Sequence, residues 1–235
     1  SRITPNTRLI FINNPNNPST SVFSAADLDA LASLADKYDL IVLSDEVYEH
    51  VVFDGRSHHS VLAHPQLRAR SFVTYSFGKT FHITGWKLGY CVAPPALTTE
   101  LRKIHQFLVF SVNSTGQQAV AAHLADASHW QGLPSFFQSR RDQLAAGLQA
   151  AGFRTLPCHG TYFQLADYSG IRPDLDDVAF ARWLTTEYRV ASIPISVFYE
   201  KPPAEQRIVR FCFAKLETTI DAALERLTAL AARSR

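Results

Sequence analysis

The chain has 235 residues, 46% hydrophobic and 19% charged, which is enough to bury a substantial core in one large domain or two modest ones. A net charge of +2 gives no case for a nucleic-acid or membrane surface, and no run approaches the roughly 20 apolar residues of a membrane span. Cys91, Cys158 and Cys212 lack CxxC spacing and lie in apolar segments, predicting buried free thiols. The histidines form no HExxH or paired pattern, so no metal is expected.

Leu9 to Asn13 is a short apolar run ended by the Asn- and Pro-rich loop Asn14 to Thr20. Ser24, with Asp27 three residues on, predicts the N-cap of an amphipathic helix reaching about Tyr38. Leu40 to Leu43 and Phe72 to Tyr75 are continuous apolar runs, the pattern of strands buried on both faces of a parallel sheet. The first ends in Ser44-Asp45-Glu46 and the second in Ser76-Phe77-Gly78-Lys79. A third run, Leu88 to Val92, stops at Pro94-Pro95. Helical patterns follow over about Leu97 to Phe110, Ser114 to Ala125 and Leu133 to Ala151.

After the long helix the chain changes character. Short strands at Phe153 to Leu156, Tyr162 to Leu165, Val190 to Ile193 and Ile208 to Phe213 alternate with helices near Asp176 to Tyr188 and Thr218 to Ala232. This predicts a large domain over residues 1–150 and a small one over 151–235, in an α/β class. Open α/β sheets bind ligands at the carboxyl ends of their strands. Three such ends carry polar chemistry here, at Asn14 to Asn17, Asp45 to Tyr48 and Ser76 to Lys79. A nucleotide reading fails on spacing. Gly78-Lys79-Thr80 is the tail of a phosphate-loop motif, but the required upstream glycine position is Val73, inside a strand, and no GxGxxG occurs.

Asn14-Pro15-Asn16-Asn17-Pro18, Ser44-Asp45-Glu46-Val47-Tyr48, Ser76-Phe77-Gly78-Lys79-Thr80, Thr84-Gly85-Trp86-Lys87-Leu88-Gly89 and Arg210-Phe211-Cys212-Phe213 occur in that order. The series resembles the class I/II aminotransferases of the fold-type I pyridoxal-phosphate enzymes, nearest the kynurenine, glutamine-transaminase-K-like and bacterial methionine aminotransferase branch. The resemblance implies the C-terminal part of a mostly parallel seven-stranded large domain, plus a smaller α+β C-terminal domain. Pyridoxal 5'-phosphate is then the cofactor, and Lys79 the catalytic lysine holding it as a Schiff base. Asp45 pairs with the ring nitrogen, Tyr48 and Asn17 hydrogen-bond O3', and Ser76 and Lys87 hold the phosphate. Arg210, with Asn17 beside it, takes the substrate carboxylate, because a planar guanidinium gives two parallel hydrogen bonds. Arg207 is the weaker alternative. Trp86 and Phe211 are expected in the core.

The implied reaction is transfer of the amino group of an amino acid with a large neutral side chain, methionine or aromatic, to a 2-oxo acid. A carbon–sulfur β-lyase and the aminotransferase-like sensor domain of a transcription regulator are the alternatives. A cytoplasmic homodimer is implied, with no nucleic acid or membrane as partner. Two departures stand out. Ser19-Thr20 replaces the commoner Thr-Gly after the second Asn-Pro, and no match appears for the family's phosphate loop and ring-stacking aromatic, which lie upstream. Residues 1–235 alone are therefore expected to be a fragment without full activity.

Overall fold

The apolar runs become β1 (Leu9–Asn13), β2 (Ile41–Asp45) and β3 (Ser71–Ser76) in the computed structural model, which describes residues 2–233 and side chains as far as Leu230. These strands are parallel. β4 (Gly89–Val92) adds antiparallel to β3, closing a four-stranded sheet of order β1-β2-β3-β4. Between β1 and β2 runs α1 (Ala25–Lys37). The Ser24 hydroxyl accepts the Asp27 N–H at 3.2 Å, and the Asp27 carboxylate accepts the Ser24 N–H at 2.8 Å, a reciprocal capping box.

Leu28, Leu31, Ala32 and Ala35 form the inward stripe of α1 at helical spacing. They pack on Leu40, Val42, Val73 and Tyr75, with Val61 of the 3-10 turn Val61–Ala63 and Leu67 of the short helix α2 (Pro65–Arg68) completing the cluster. Burying each large aliphatic side chain contributes roughly 1.5–3 kcal/mol, so this core anchors the strands whose ends carry the polar residues.

Burial on both faces is not what the structure shows. In β2, Val42 and Ser44 are buried while Ile41, Leu43 and Asp45 are half-buried, and Phe11 of β1 is 63% exposed. Within this unit the α1 side of the sheet is covered, and the face bearing Leu9 and Phe11 is open. Two further expectations of burial are corrected. Cys91 lies on β4, exposed throughout, and Cys212 is half-buried, leaving Cys158 as the buried thiol; all three are free. Trp86, expected in the core, is 51% exposed on a 3-10 turn, Thr84–Trp86, whereas Phe211 is buried as expected.

β4 approaches β3 very closely at Gly89. A Cβ there would lie 2.4 Å from the Tyr75 carbonyl oxygen, whereas one at Gly85 would meet nothing within 4 Å. Gly89→Ala is expected to lower stability by about 1–3 kcal/mol because the obstacle is backbone, and Gly85→Ala to leave it nearly unchanged. Urea unfolding of the two variants checks this.

The rest of the first unit comprises α3 (Phe77–Thr80), α4 (Pro95–Leu108), α5 (Ser114–Leu124) and α6 (Ser128–Gln131). The second unit holds α7 (Leu133–Ala150), β5 (Arg154–Thr155), β6 (Phe163–Asp167), α8 (Asp177–Tyr188), β7 (Ile193–Pro194), β8 (Ile208–Cys212) and α9 (Glu217–Arg233). Its sheet is antiparallel, in the order β5-β6-β8-β7. By contacts, one unit takes the chain up to Pro15 together with Val22–Leu133, and the other takes Asn16–Ser21 together with the chain from Pro134 onward. The sequence changes character after α7, near residue 150, but α7 already packs with the second unit: Gln143 Nε2 donates to Asp221 Oδ1 of α9 at 2.6 Å, and Gly147 lies against Leu224.

Candidate active site

Because β1, β2 and β3 are parallel, Asn13, Asp45 and Ser76 share one edge of the first unit's sheet. Asn13 pairs with Asp45 in register, and the Asn13 side-chain amide donates to the Asp45 carbonyl at 2.9 Å. β4 begins at Gly89 opposite Ser76, and Phe77 N donates to the Leu88 carbonyl at 3.2 Å, so Lys87 reaches the same edge. Lys79 stands on α3, the single turn that follows Ser76. Gly78 allows that turn to close, since a Cβ there would lie 2.9 Å from Thr84 Cα and 3.3 Å from Ser76 Oγ. Lys87 occupies the left-handed region at φ 57° and is exposed. Tyr48, in the turn after β2, is buried.

Asp45, Ser76, Lys79 and Lys87 on this edge are little used by the protein itself. Asp45 Oδ1 takes long contacts from Val47 N (3.4 Å) and Thr74 Oγ1 (3.5 Å), while Oδ2 has no donor among the described residues. Burial raises the Asp45 pKa, opposed by those two donors and by the positive charge of Lys79. Lys79 and Lys87 form no hydrogen bond or ion pair among the described residues, and the Ser76 hydroxyl donates to none of them. A half-buried carboxylate oxygen without a donor fits a ring N–H. Two uncommitted ammonium groups and a hydroxyl fit a phosphorylated carbonyl compound.

In the second unit, Arg210 Nη1 donates to Asn17 Oδ1, so two residues far apart in sequence are neighbours. The guanidinium lies 4.0 Å from the centroid of Phe163 and 5.2 Å from that of Phe198, contacts that fix its plane. The sequence did not single out either ring as an arginine contact. Arg207 is committed elsewhere, donating to the carbonyls of Pro173 (3.0 Å) and Ala204 (2.9 Å). The loop bearing Asn17 is fastened by Thr20. Its carbonyl accepts from His159 N and Gly160 N, both at 3.1 Å, and its hydroxyl donates to Pro157 O at 3.0 Å. Thr20 sits at φ 62°, a conformation that costs a β-branched residue strain and that glycine adopts freely.

The sequence model of the family described as aminotransferase class I and II matches residues 2–227. The chain belongs to this family. Methionine aminotransferase of Escherichia coli (strain K12) is 50% identical over 225 residues, covering 95% of this chain and 58% of that protein. Kynurenine–oxoglutarate transaminase 1 of Rattus norvegicus is 34% identical over 247 residues, covering 97% and 58%. Among solved structures, YbdL from Escherichia coli, identified as a methionine aminotransferase, superposes with a TM-score of 0.94 at 49% identity, covering 97% of this chain and 59% of that one. The chain thus spans about 58% of the length of these curated relatives. Among its described residues no His, Cys, Asp and Glu cluster could hold a metal, and no helix is long and apolar enough to cross a membrane.

Proposed function

We propose that this protein is a pyridoxal-phosphate-dependent aminotransferase that moves the amino group of methionine or an aromatic amino acid to a 2-oxo acid. The observation that carries the reading is the uncommitted Lys79 amine and the open oxygen of Asp45, together on the carboxyl edge of the sheet. The 50% identity to a methionine aminotransferase supports the choice of amino acid.

When bound, the cofactor supplies an electron sink for the bonds at the substrate Cα. Lys79 would hold it, and the Lys79 amine would carry the proton removed from the substrate Cα. Asp45 Oδ2 would accept the ring N–H and favour the protonated nitrogen, a task its half-buried setting would strengthen. Tyr48 and Asn17 would donate to O3', and Ser76 and Lys87 would bind the phosphate; lysine would serve there because a point charge suffices for phosphate. Arg210 orients the substrate carboxylate, with Phe163 and Phe198 restricting the guanidinium. A cytoplasmic homodimer is part of the same proposal. The exposed apolar side chains of α4 support the dimer, Phe107 being 85% and Leu108 77% exposed.

The test offers a panel of amino acids with several 2-oxo acids and measures keto-acid product and ammonia in parallel. Methionine and aromatic substrates should give keto acid matched by a new amino acid and no ammonia. Ammonia release from sulfur-bearing substrates without amino transfer would favour the β-lyase.

A further inference from the structure

Asp45 and Glu46 are adjacent in sequence, and the two-residue period of extended chain directs them oppositely. Asp45 reaches the open edge, whereas Glu46 is 0% exposed. A buried carboxylate is costly unless donors surround it. Around Glu46 they do. The Ser44 hydroxyl (2.9 Å) and Val61 N–H (3.0 Å) donate to Oε1, while the Tyr75 hydroxyl (3.0 Å) and His58 Nε2 (3.0 Å) donate to Oε2. His58 Nε2 carries the hydrogen in this contact, since a carboxylate can only accept. Burial pushes the Glu46 pKa up, but the hydrogen bonds it accepts, that from His58 foremost, more than offset it and hold the group below the ordinary glutamate range.

These donors come from three places: β2 itself, the far end of the following loop, and β3. The segment from Glu46 to Val61, which carries Tyr48, is therefore closed at both ends on a single carboxylate. Its middle is tied as well. The Tyr75 ring stacks on Tyr90 at 4.7 Å, and the Tyr90 hydroxyl donates to Glu49 Oε1 at 3.4 Å.

We propose that Glu46 is a positioning residue for catalysis, its buried carboxylate setting where Asp45 and Tyr48 stand without facing the cofactor itself. This rests on the cofactor reading above. The network joins the backbone on both sides of Tyr48 to the strand beside Asp45, so loosening it displaces the ring-nitrogen and O3' partners together. Substrate-carboxylate binding, assigned to Arg210, is left alone. Glu46→Gln keeps the shape and lets Tyr75 and His58 rearrange their hydrogens, but removes the charge that gathers four donors.

The experiment uses the cofactor-loaded protein and its Glu46→Gln and Tyr75→Phe variants. Readouts are kcat and KM, visible circular dichroism per bound cofactor, and melting temperature. For Glu46→Gln, kcat should fall about 10- to 100-fold, as expected when reacting groups shift by about 1 Å, with KM changed less than about threefold and the visible dichroism reduced. Tyr75→Phe, which keeps the carboxylate, should show the same pattern more weakly, and it decides the matter if Glu46→Gln fails to fold. Unchanged kcat and dichroism with only a lower melting temperature would overturn the inference, leaving Glu46 a support of the fold. Failure of the cofactor reading looks different: borohydride treatment of the unmutated protein would then label no lysine, removing the inference along with it.

Discussion

Replacing Lys79 by alanine is expected to lower turnover by about 10,000-fold or more while leaving some cofactor affinity. A positioned acid–base group alone contributes up to roughly that factor, and here the same amine also makes the covalent attachment. Residual affinity follows from the separate placement of Ser76 and Lys87 at the same edge and of Asp45 opposite Asn13. The direct measurement is borohydride reduction of the unmutated protein with cofactor, followed by peptide mapping. A single modified peptide containing Lys79 is the expected result. The modification on Lys87 or Lys215 instead would show that the wrong lysine has been chosen.

The second large effect concerns Arg210. Arg210→Ala should weaken amino-acid and keto-acid binding by about 2–5 kcal/mol, the range for truncating one partner of a buried charged pair. The spectrum of the bound cofactor should hardly change. Arg207→Ala is the informative control, because its guanidinium donates to loop carbonyls around Pro173 and Ala204. It should affect stability of that loop more than substrate binding. Steady-state kinetics with isothermal binding of a keto acid separates the two, and a binding defect confined to Arg207→Ala would reverse the assignment.

Much of this was legible in the sequence because strand ends announce themselves. Apolar runs ending abruptly in Asn, Asp or Ser placed β1, β2 and β3, and the Ser24 and Asp27 spacing placed the start of α1. What the sequence misled on was coverage. A run such as Leu40 to Leu43 looks the same whether one face or both are packed, so the exposure of Phe11, Cys91 and Trp86 could not be read from it. The Glu46 network was missed for a different reason. Its donors Ser44, His58, Val61 and Tyr75 are brought together by the return of the chain to β3, a long-range pairing without a local pattern. Strand alternation alone did carry a signal, since an acid beside Asp45 must face the other way. The aromatic contacts of Arg210 were equally hidden, because Phe163 and Phe198 lie on separate elements.

The second unit is stitched from two stretches of chain, with nearly all of the first unit's sequence between them. On a ribosome, Asn16–Ser21 emerges well before the carbonyl and amides it meets at Pro157, His159 and Gly160 and the guanidinium of Arg210. Domains usually assemble as they are synthesised, N-terminal first. Here that short loop must stay unclaimed while β1 to β4 are made, and it can settle only once the second stretch of its own unit has emerged. For the same reason a cut at Leu133 would not liberate an intact second unit. It would leave Asn17 and Thr20 attached to the wrong piece.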